Sequence, residues 1–264
     1  MADATHHAAA PDDPAARLDS SYRDALYGSY VTTHAGTIDA ETRGSVVGHF
    51  RRHILPHLPE SCDARICDVA CGSGELLAFL SAEGYAACEG VDRSGEQVRA
   101  AHAAGVIGVT EGDAFSFLSS RAGEFDAIVA LDFLEHLVKA EVIEFLRIAR
   151  RALRPGGRLV VQTCNGASPM FGRIRYGDFT HEAAFTDRSI AQVFLAAGLT
   201  PLGVYGIDPV AHGARSLVRA AAWRAIKVAA TGYLAVETGV LRGHILSQNL
   251  VAVAARDDGM RSVP

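Results

Sequence analysis

The sequence contains no uncharged apolar run of about 18 residues, and its N-terminus lacks the basic start and apolar stretch of an export signal. Membrane insertion and secretion are therefore not expected, and the chain reads as a soluble, cytoplasmic protein. Cysteines are few and odd in number, five at positions 62, 67, 71, 88 and 164, and no two form a CxxC pair. That excludes a disulfide framework and a CxxC-type zinc site, and leaves reduced, mostly buried thiols. Lysine and arginine never occur more than two in succession and the net charge is -5, so nothing draws the chain to a phosphate backbone. No nucleic-acid partner is expected. A dinucleotide fingerprint GxGxxG is missing too, because its third glycine would fall at Leu77.

What is present is enough apolar material for one large core: 264 residues with 49% hydrophobic content. Residues 1–17, rich in Ala, Pro and Asp and including His6 and His7, read as a disordered tail. Residues 18–60 read as an N-terminal helical cap, and 61–264 as the main domain with a helical insertion at 210–243 whose Arg-rich core is 214–235. Within the main domain short β-like runs at 64–70, 86–92, 106–113, 125–132 and 157–164 alternate with helical segments near 74–83, 94–104, 114–121 and 138–153. Later strands are expected at 200–207 and 247–255. This pattern predicts an α/β fold: a Rossmann-like, doubly wound, seven-stranded, mostly parallel sheet with helices on both faces. Its ligand should lie beyond the carboxyl ends of the strands.

After the first strand, "DVACGSGE" supplies Gly72 and Gly74, which let the turn tighten and the backbone approach a ligand at a helix N-terminus. Asp92 ends the second strand, where a carboxylate can accept from both hydroxyls of a ribose or cap the next helix. Asp113, after the third, is placed to accept from an adenine amino group or to cap the helix beginning at Ala114. The order "DVACGSG", "VDRS", "GDAFSF", "FDAIVALDFLEHL" and "LRPGGRLVVQT" resembles a class I S-adenosylmethionine-dependent methyltransferase over roughly residues 60–200. That resemblance implies that Asp68, Ala70, Gly72 and Gly74 line the methionine part of S-adenosylmethionine, and that Asp92 with Arg93 holds the ribose. It further implies that Asp113 and Ala114 frame the adenine, that Leu131 and Asp132 lie beside the sulfonium, and that His136 packs near the cofactor. Ala70 stands where the family's first glycine is usual, so its methyl group is expected to push the loop outward.

The stretch "RYGDFTHEAAFTD" follows the fifth strand, where an acceptor would bind. An aliphatic hydroxyl needs a general base, and His181, oriented by Asp178, is the candidate. Arg175 and Tyr176, with Asp132, are the candidate acceptor contacts. Phe179 and Phe185 read as core anchors and Thr186 as a helix N-cap. Asp132, Glu135 and His136 share offsets that would let them hold a divalent cation such as magnesium, although no metal is required for methyl transfer. Similarity of the "NGASPMFGRIRYGDFTHEAAFT" and "YLAVETG" stretches to sugar and polysaccharide O-methyltransferases implies a small-molecule or oligosaccharide acceptor. The rival expectations are methylation of an amine or phenol of a small metabolite, and a catalytically silent cofactor-binding subunit. The 210–243 insertion would cover the acceptor cleft or form a homodimer contact.

Overall fold

A computed structural model describes residues 40–211 and 213–258. The expected tail over 1–17 and the first part of the cap, 18–39, lie outside the described residues. Seven strands form one sheet: β1 (Ile66–Val69), β2 (Cys88–Asp92), β3 (Val109–Glu111), β4 (Phe125–Leu131), β5 (Leu153–Cys164), β6 (Thr200–Gly206) and β7 (Asn249–Ala255). Their order is β3-β2-β1-β4-β5-β7-β6. The first five pair in parallel, while β7 runs antiparallel to both β5 and β6. Strand order therefore reverses between β1 and β4, which is where an open sheet of this kind leaves a crevice.

The alternation of side chains explains why both faces are covered. Cys67, Val69, Ile128, Ala130, Leu159, Val161, Leu250 and Ala252 join one apolar cluster, and their neighbours Ile66, Ala127, Val129, Val160, Val251 and Val253 join another on the opposite face. Beneath the first cluster lies α5 (Lys139–Ala152), whose buried Val142, Phe145, Leu146, Ala149 and Ala152 recur at helical spacing. The second cluster is closed by α1 (Ala40–His49), its continuation through a π turn at Phe50–Ile54 and a 3₁₀ turn at Leu55–His57, and by α2 (Glu75–Ala82). The remaining helices are α3 (Gly95–Ala103), α4 (Ala114–Ser119), α6 (Phe171–Arg175), α7 (Asp187–Ala196) and α8 (Ala214–Thr238). No helix among the described residues is long and apolar enough to cross a membrane. Of the five thiols, all unpaired, only Cys62 is exposed.

Three boundaries differ from the sequence expectation. Strand β3 starts only at Val109, because Gly108 adopts φ +86 and a Cβ there would meet the Cys88 carbonyl oxygen at 2.8 Å. The "LRPGG" turn is absorbed into β5 as an irregularity of the ladder, between the pairs Phe125–Leu153 and Ala127–Arg158. Helix α8 runs to Thr238, where Gly239 ends it in the left-handed conformation.

Candidate active site

Two residues in the described chain, glycines aside, adopt positive φ: Ala70 at +54 and Asp132 at +50. They directly follow β1 and β4, the two strands that flank the reversal of order. A left-handed conformation at a residue with a Cβ costs roughly 1–2 kcal/mol, and such strain concentrates at functional sites. Replacing Ala70 by glycine should remove most of it. Glycine's extra freedom in the unfolded chain offsets about 0.5–1 kcal/mol, so Ala70→Gly is expected to raise the unfolding free energy by no more than ~1 kcal/mol in urea titration. A fall in stability would mean that the methyl group packs usefully here.

The loop after β1 is tied to β2 by one carboxylate. Asp92 Oδ2 accepts the Gly72 backbone N–H at 2.8 Å and Oδ1 accepts that of Ser94, also at 2.8 Å. Burial raises the Asp92 pKa even against these two bonds. Gly72 and Gly74 both have positive φ, and α2 starts at Gly74 without a side-chain cap, so its first-turn N–H groups are available to an anionic ligand group. Asp68 is 3% exposed, and no donor among the described residues hydrogen-bonds its carboxylate. Burial first, and then the nearby charges of Asp92 and Glu75, hold it well above the usual carboxylate range. A buried carboxylate without a partner is costly. A cationic amino group arriving over β1 would relieve that cost, so these residues fit the aminoacyl end of S-adenosylmethionine. Asp92, facing the same crevice, fits its ribose.

Farther along the edge, Arg93 is exposed, and exposed Asp113 caps α4 by accepting the Ser116 N–H at 2.9 Å. That leaves one Asp113 oxygen for an adenine amino group beside half-buried Ala114. At the end of β4, half-buried Leu131 leads into Asp132 and the 3₁₀ turn Leu134–His136.

The turn after β4 does not bring Asp132, Glu135 and His136 together as one ion-binding group. Glu135 points inward, accepting from Thr163 Oγ1 at 2.9 Å and from Cys164 Sγ at 3.4 Å. The groupings close enough to share an ion among the described residues are Glu135–Cys164–His181 and His136–Asp178–His181. Burial, with the Asp132 charge second, pushes the Glu135 carboxyl up to about 8. A folded-state pKa above the unfolded value means that the folded protein holds this proton between roughly pH 4.5 and 8, so stability falls as pH rises through that window. Glu135→Gln removes the titration. The variant is expected to gain on the order of 2–4 kcal/mol relative to the parent between pH 5 and pH 8.5, by urea unfolding.

The "RYGDFTHEAAFTD" stretch docks on that same turn, since the Glu182 and Ala183 N–H groups donate to the Glu135 carbonyl at 2.7 and 3.0 Å. His181 Nδ1 bonds to the Ile174 carbonyl at 3.0 Å, and its ring packs edge-on against His136 with centroids 4.8 Å apart. Asp178 instead accepts the backbone N–H of Thr180 at 2.8 Å and its hydroxyl at 2.6 Å. The Ile174 backbone carbonyl thus fixes His181 Nδ1, while the Asp178 carboxylate lies within 4.8 Å of a ring nitrogen of both His181 and His136. His136 Nδ1 pairs with Thr180 Oγ1 at 2.8 Å, and burial, with the charge of His181 second, lowers the His136 pKa to about 4. Phe185 is a core residue as expected, whereas Phe179 is 82% exposed, the chain having turned outward between buried Asp178 and Thr180. Arg175 bonds the Glu182 carbonyl at 3.2 Å and lies 5.4 Å from the ring centre of exposed Tyr176. Thr186 caps α7 through the Ser189 N–H.

A cavity of about 650 Å³ opens between α1, the carboxyl ends of β5 and β6, the start of β7, and α8. Its polar lining comprises His49, Gln162, Ser247, Gln248 and Asn249, and its apolar wall comprises Ile207, Val210, Ala222, Trp223 and Ile226. Neither Arg175, Tyr176, Asp178 nor His181 lines it. Gln162 Nε2 donates to Asp132 Oδ2 at 2.9 Å, and Asn249 Nδ2 donates to Asp132 Oδ1 at 3.2 Å. The cavity therefore meets the cofactor edge at Asp132. This side chain has open surface yet is ringed by protein, as at the mouth of a cleft. That enclosure raises its pKa, with the Gln162 amide and then the charge of His181 opposing.

His49 is the residue that motif reading missed. Its Nε2 lies 2.8 Å from Gln162 Oε1. Because the Gln162 amide nitrogen is committed to Asp132, its oxygen must take the His49 Nε2 proton, which leaves Nδ1 as the proton acceptor. Burial lowers the His49 pKa, and the charge of His53 adds to this, so the ring is neutral near pH 7. A signal was available in the sequence: His49, His53 and His57 recur every fourth residue and so share one helical face.

Comparison with known proteins agrees with this geometry. Residues 40–204 match the family model described as a methyltransferase domain. The chain is 30% identical over 188 residues to the ubiquinone biosynthesis O-methyltransferase of Methylocella silvestris, covering 63% of this chain and 72% of that protein. It is 35% identical over 106 residues to the enzyme of the same name from Caulobacter sp. (strain K31), covering 38% of this chain and 41% of the relative, so it matches well under half the length of that protein. A SAM-dependent methyltransferase from Archaeoglobus fulgidus shares the fold, with a TM-score of 0.60 at 19% identity over 92% of this chain and 100% of that one. With the carboxylate-tied glycine loop, a buried Asp68 that has no hydrogen-bond donor among the described residues, and the family match together, the chain belongs to the class I S-adenosylmethionine-dependent methyltransferases.

Proposed function

We propose that the protein transfers the methyl group of S-adenosylmethionine to a ring hydroxyl of a small aromatic acceptor held in the 650 Å³ cavity. One observation carries this reading: the cavity adjoins Asp132 through Gln162 and Asn249, with a tryptophan-containing apolar wall and a histidine whose Nδ1 makes no hydrogen bond among the described residues. The volume suits a ring with substituents. The relatives named as O-methyltransferases of ubiquinone biosynthesis support oxygen as the acceptor atom.

Bound S-adenosylmethionine supplies an electrophilic methyl carbon on a positively charged sulfur. The chain's own contribution is alignment and one proton transfer. Asp68 and the Ala70–Gly74 loop fix the donor end, and Asp92 its sugar. Trp223 and Ile226 hold the acceptor ring in place, which turns an encounter of two molecules into a single aligned complex. His49 Nδ1 takes the hydroxyl proton as the new oxygen–carbon bond forms, and Gln162 holds the imidazole in the tautomer that permits it. Asp132, bonded to Gln162 and Asn249, fixes the amide between the two sites. Under this reading His181 and Asp178 position His136 and the β4 turn, and the cavity, not Arg175 and Tyr176, contacts the acceptor.

A sugar or oligosaccharide hydroxyl is the second reading, and the hydrogen-bonding floor of Gln162, Ser247, Gln248 and Asn249 favours it. The two are separated by incubating the protein with methyl-labelled donor and matched panels of catechols, phenols, amines and hexosides. Label in catechol or phenol products is the expected result. Label confined to hexosides or amines would replace the acceptor, and no label with any panel would leave a cofactor-binding subunit.

A further inference from the structure

We propose that the acceptor carries an anionic group, a carboxylate or a phosphate, bound by Arg219 at the edge of the cavity; this rests on the reading of that cavity as the acceptor site. Asp208 and Arg219 are the charged residues other than histidine among those lining it. Asp208 is already neutralised, because its carboxylate takes Lys227 Nζ at 2.8 and 3.1 Å and Trp223 Nε1 at 2.7 Å. Arg219 has no hydrogen bond, ion pair or ring contact among the described residues. The lining thus presents one uncompensated charge, and it is positive.

Its placement is fixed by the helix that bears it. On α8, Arg219 and Trp223 are four residues apart and so neighbours on one face, with Ile226 continuing that face. The clasp of Asp208 on Trp223 and Lys227 holds this part of the helix over the cavity. An aromatic ring against Trp223 would place a substituent one helical turn away beside the guanidinium, while the opposite edge of the ring faces His49 and Gln162. A guanidinium is a planar fork matched to two oxygens of a carboxylate or phosphate. A neutral acceptor would leave that fork to water, so an anionic one gains a charge-assisted pair that a neutral analogue lacks.

The test is calorimetric binding to the protein saturated with S-adenosylhomocysteine, using 3,4-dihydroxybenzoate, catechol and phenyl phosphate, each with the parent and with Arg219→Gln. Arg219 is exposed and has no partner among the described residues, so the substitution is expected to leave the fold intact. In the parent, the carboxylated probe is expected to bind about tenfold tighter than catechol. Arg219→Gln should erase that preference without changing the catechol constant, and Arg219→Lys should restore part of it. Comparison with phenyl phosphate then shows which anion the fork prefers. Equal binding of all three probes by the parent, no heat from either anionic probe, or a preference that survives in Arg219→Gln would overturn the proposal. Tight, Arg219-dependent anion binding without methyl transfer to any acceptor would overturn the proposed reaction and leave the anion site standing.

Discussion

Asp92→Ala is expected to weaken S-adenosylhomocysteine binding by about a hundredfold in calorimetry, the largest effect of any single change at the donor site. Two losses combine. The carboxylate accepts ribose hydroxyls through charge-assisted hydrogen bonds, each worth about 1.5–3 kcal/mol when made to a charged group. It also anchors the Gly72 N–H, so its removal unties the glycine loop from β2 and leaves that donor without its buried acceptor. Asp92→Asn keeps one acceptor oxygen and should fall between alanine and the parent. A dissociation constant within threefold of the parent for Asp92→Ala would mean that the nucleoside is held elsewhere and that Asp92 merely caps the loop.

His49→Ala is expected to lower kcat by about 10²–10³, the usual contribution of a positioned base. The donor dissociation constant should not change, since His49 lies on the acceptor side of Asp132. His181→Ala should cost much less, because its ring does not line the cavity and packs edge-on against His136. The pH profile separates the two further. Burial keeps the His49 imidazole neutral to lower pH than a free histidine, so the acid limb of kcat should lie below about 6.5. The neutral form is the active base, hence activity is lost as pH falls through that limb and persists above it. Near-parental turnover by His49→Ala with an inactive His181→Ala would return the role of base to His181.

The loops proposed to hold the donor were legible in the sequence because their requirements are local. A glycine turn after β1 and acids closing β2 and β3 follow strands whose apolar runs mark their own ends. The sheet was equally plain, since burial on both faces leaves a continuous apolar segment in β4 from Ala127 to Leu131 and a β1 interrupted only by Asp68. The acceptor half was not, because it is built from residues distant in sequence: His49 meets Gln162 across 113 positions, and Asn249 meets Asp132 across 117. No spacing rule links them. The conspicuous polar string at 175–187 drew the chemistry to itself. In the fold its buried members hold one another and the β4 turn, through Asp178–Thr180–His136 and the Glu135 carbonyl.

Helix α8, in the segment between β6 and β7, carries Ala222, Trp223 and Ile226 of the cavity's apolar wall together with Arg219, and Asp208 secures it at two side chains. Under the proposed reading the donor is held by loops after β1 and β2, outside that segment, so rewriting one helix would alter which acceptor fits while the donor grip stays as it is.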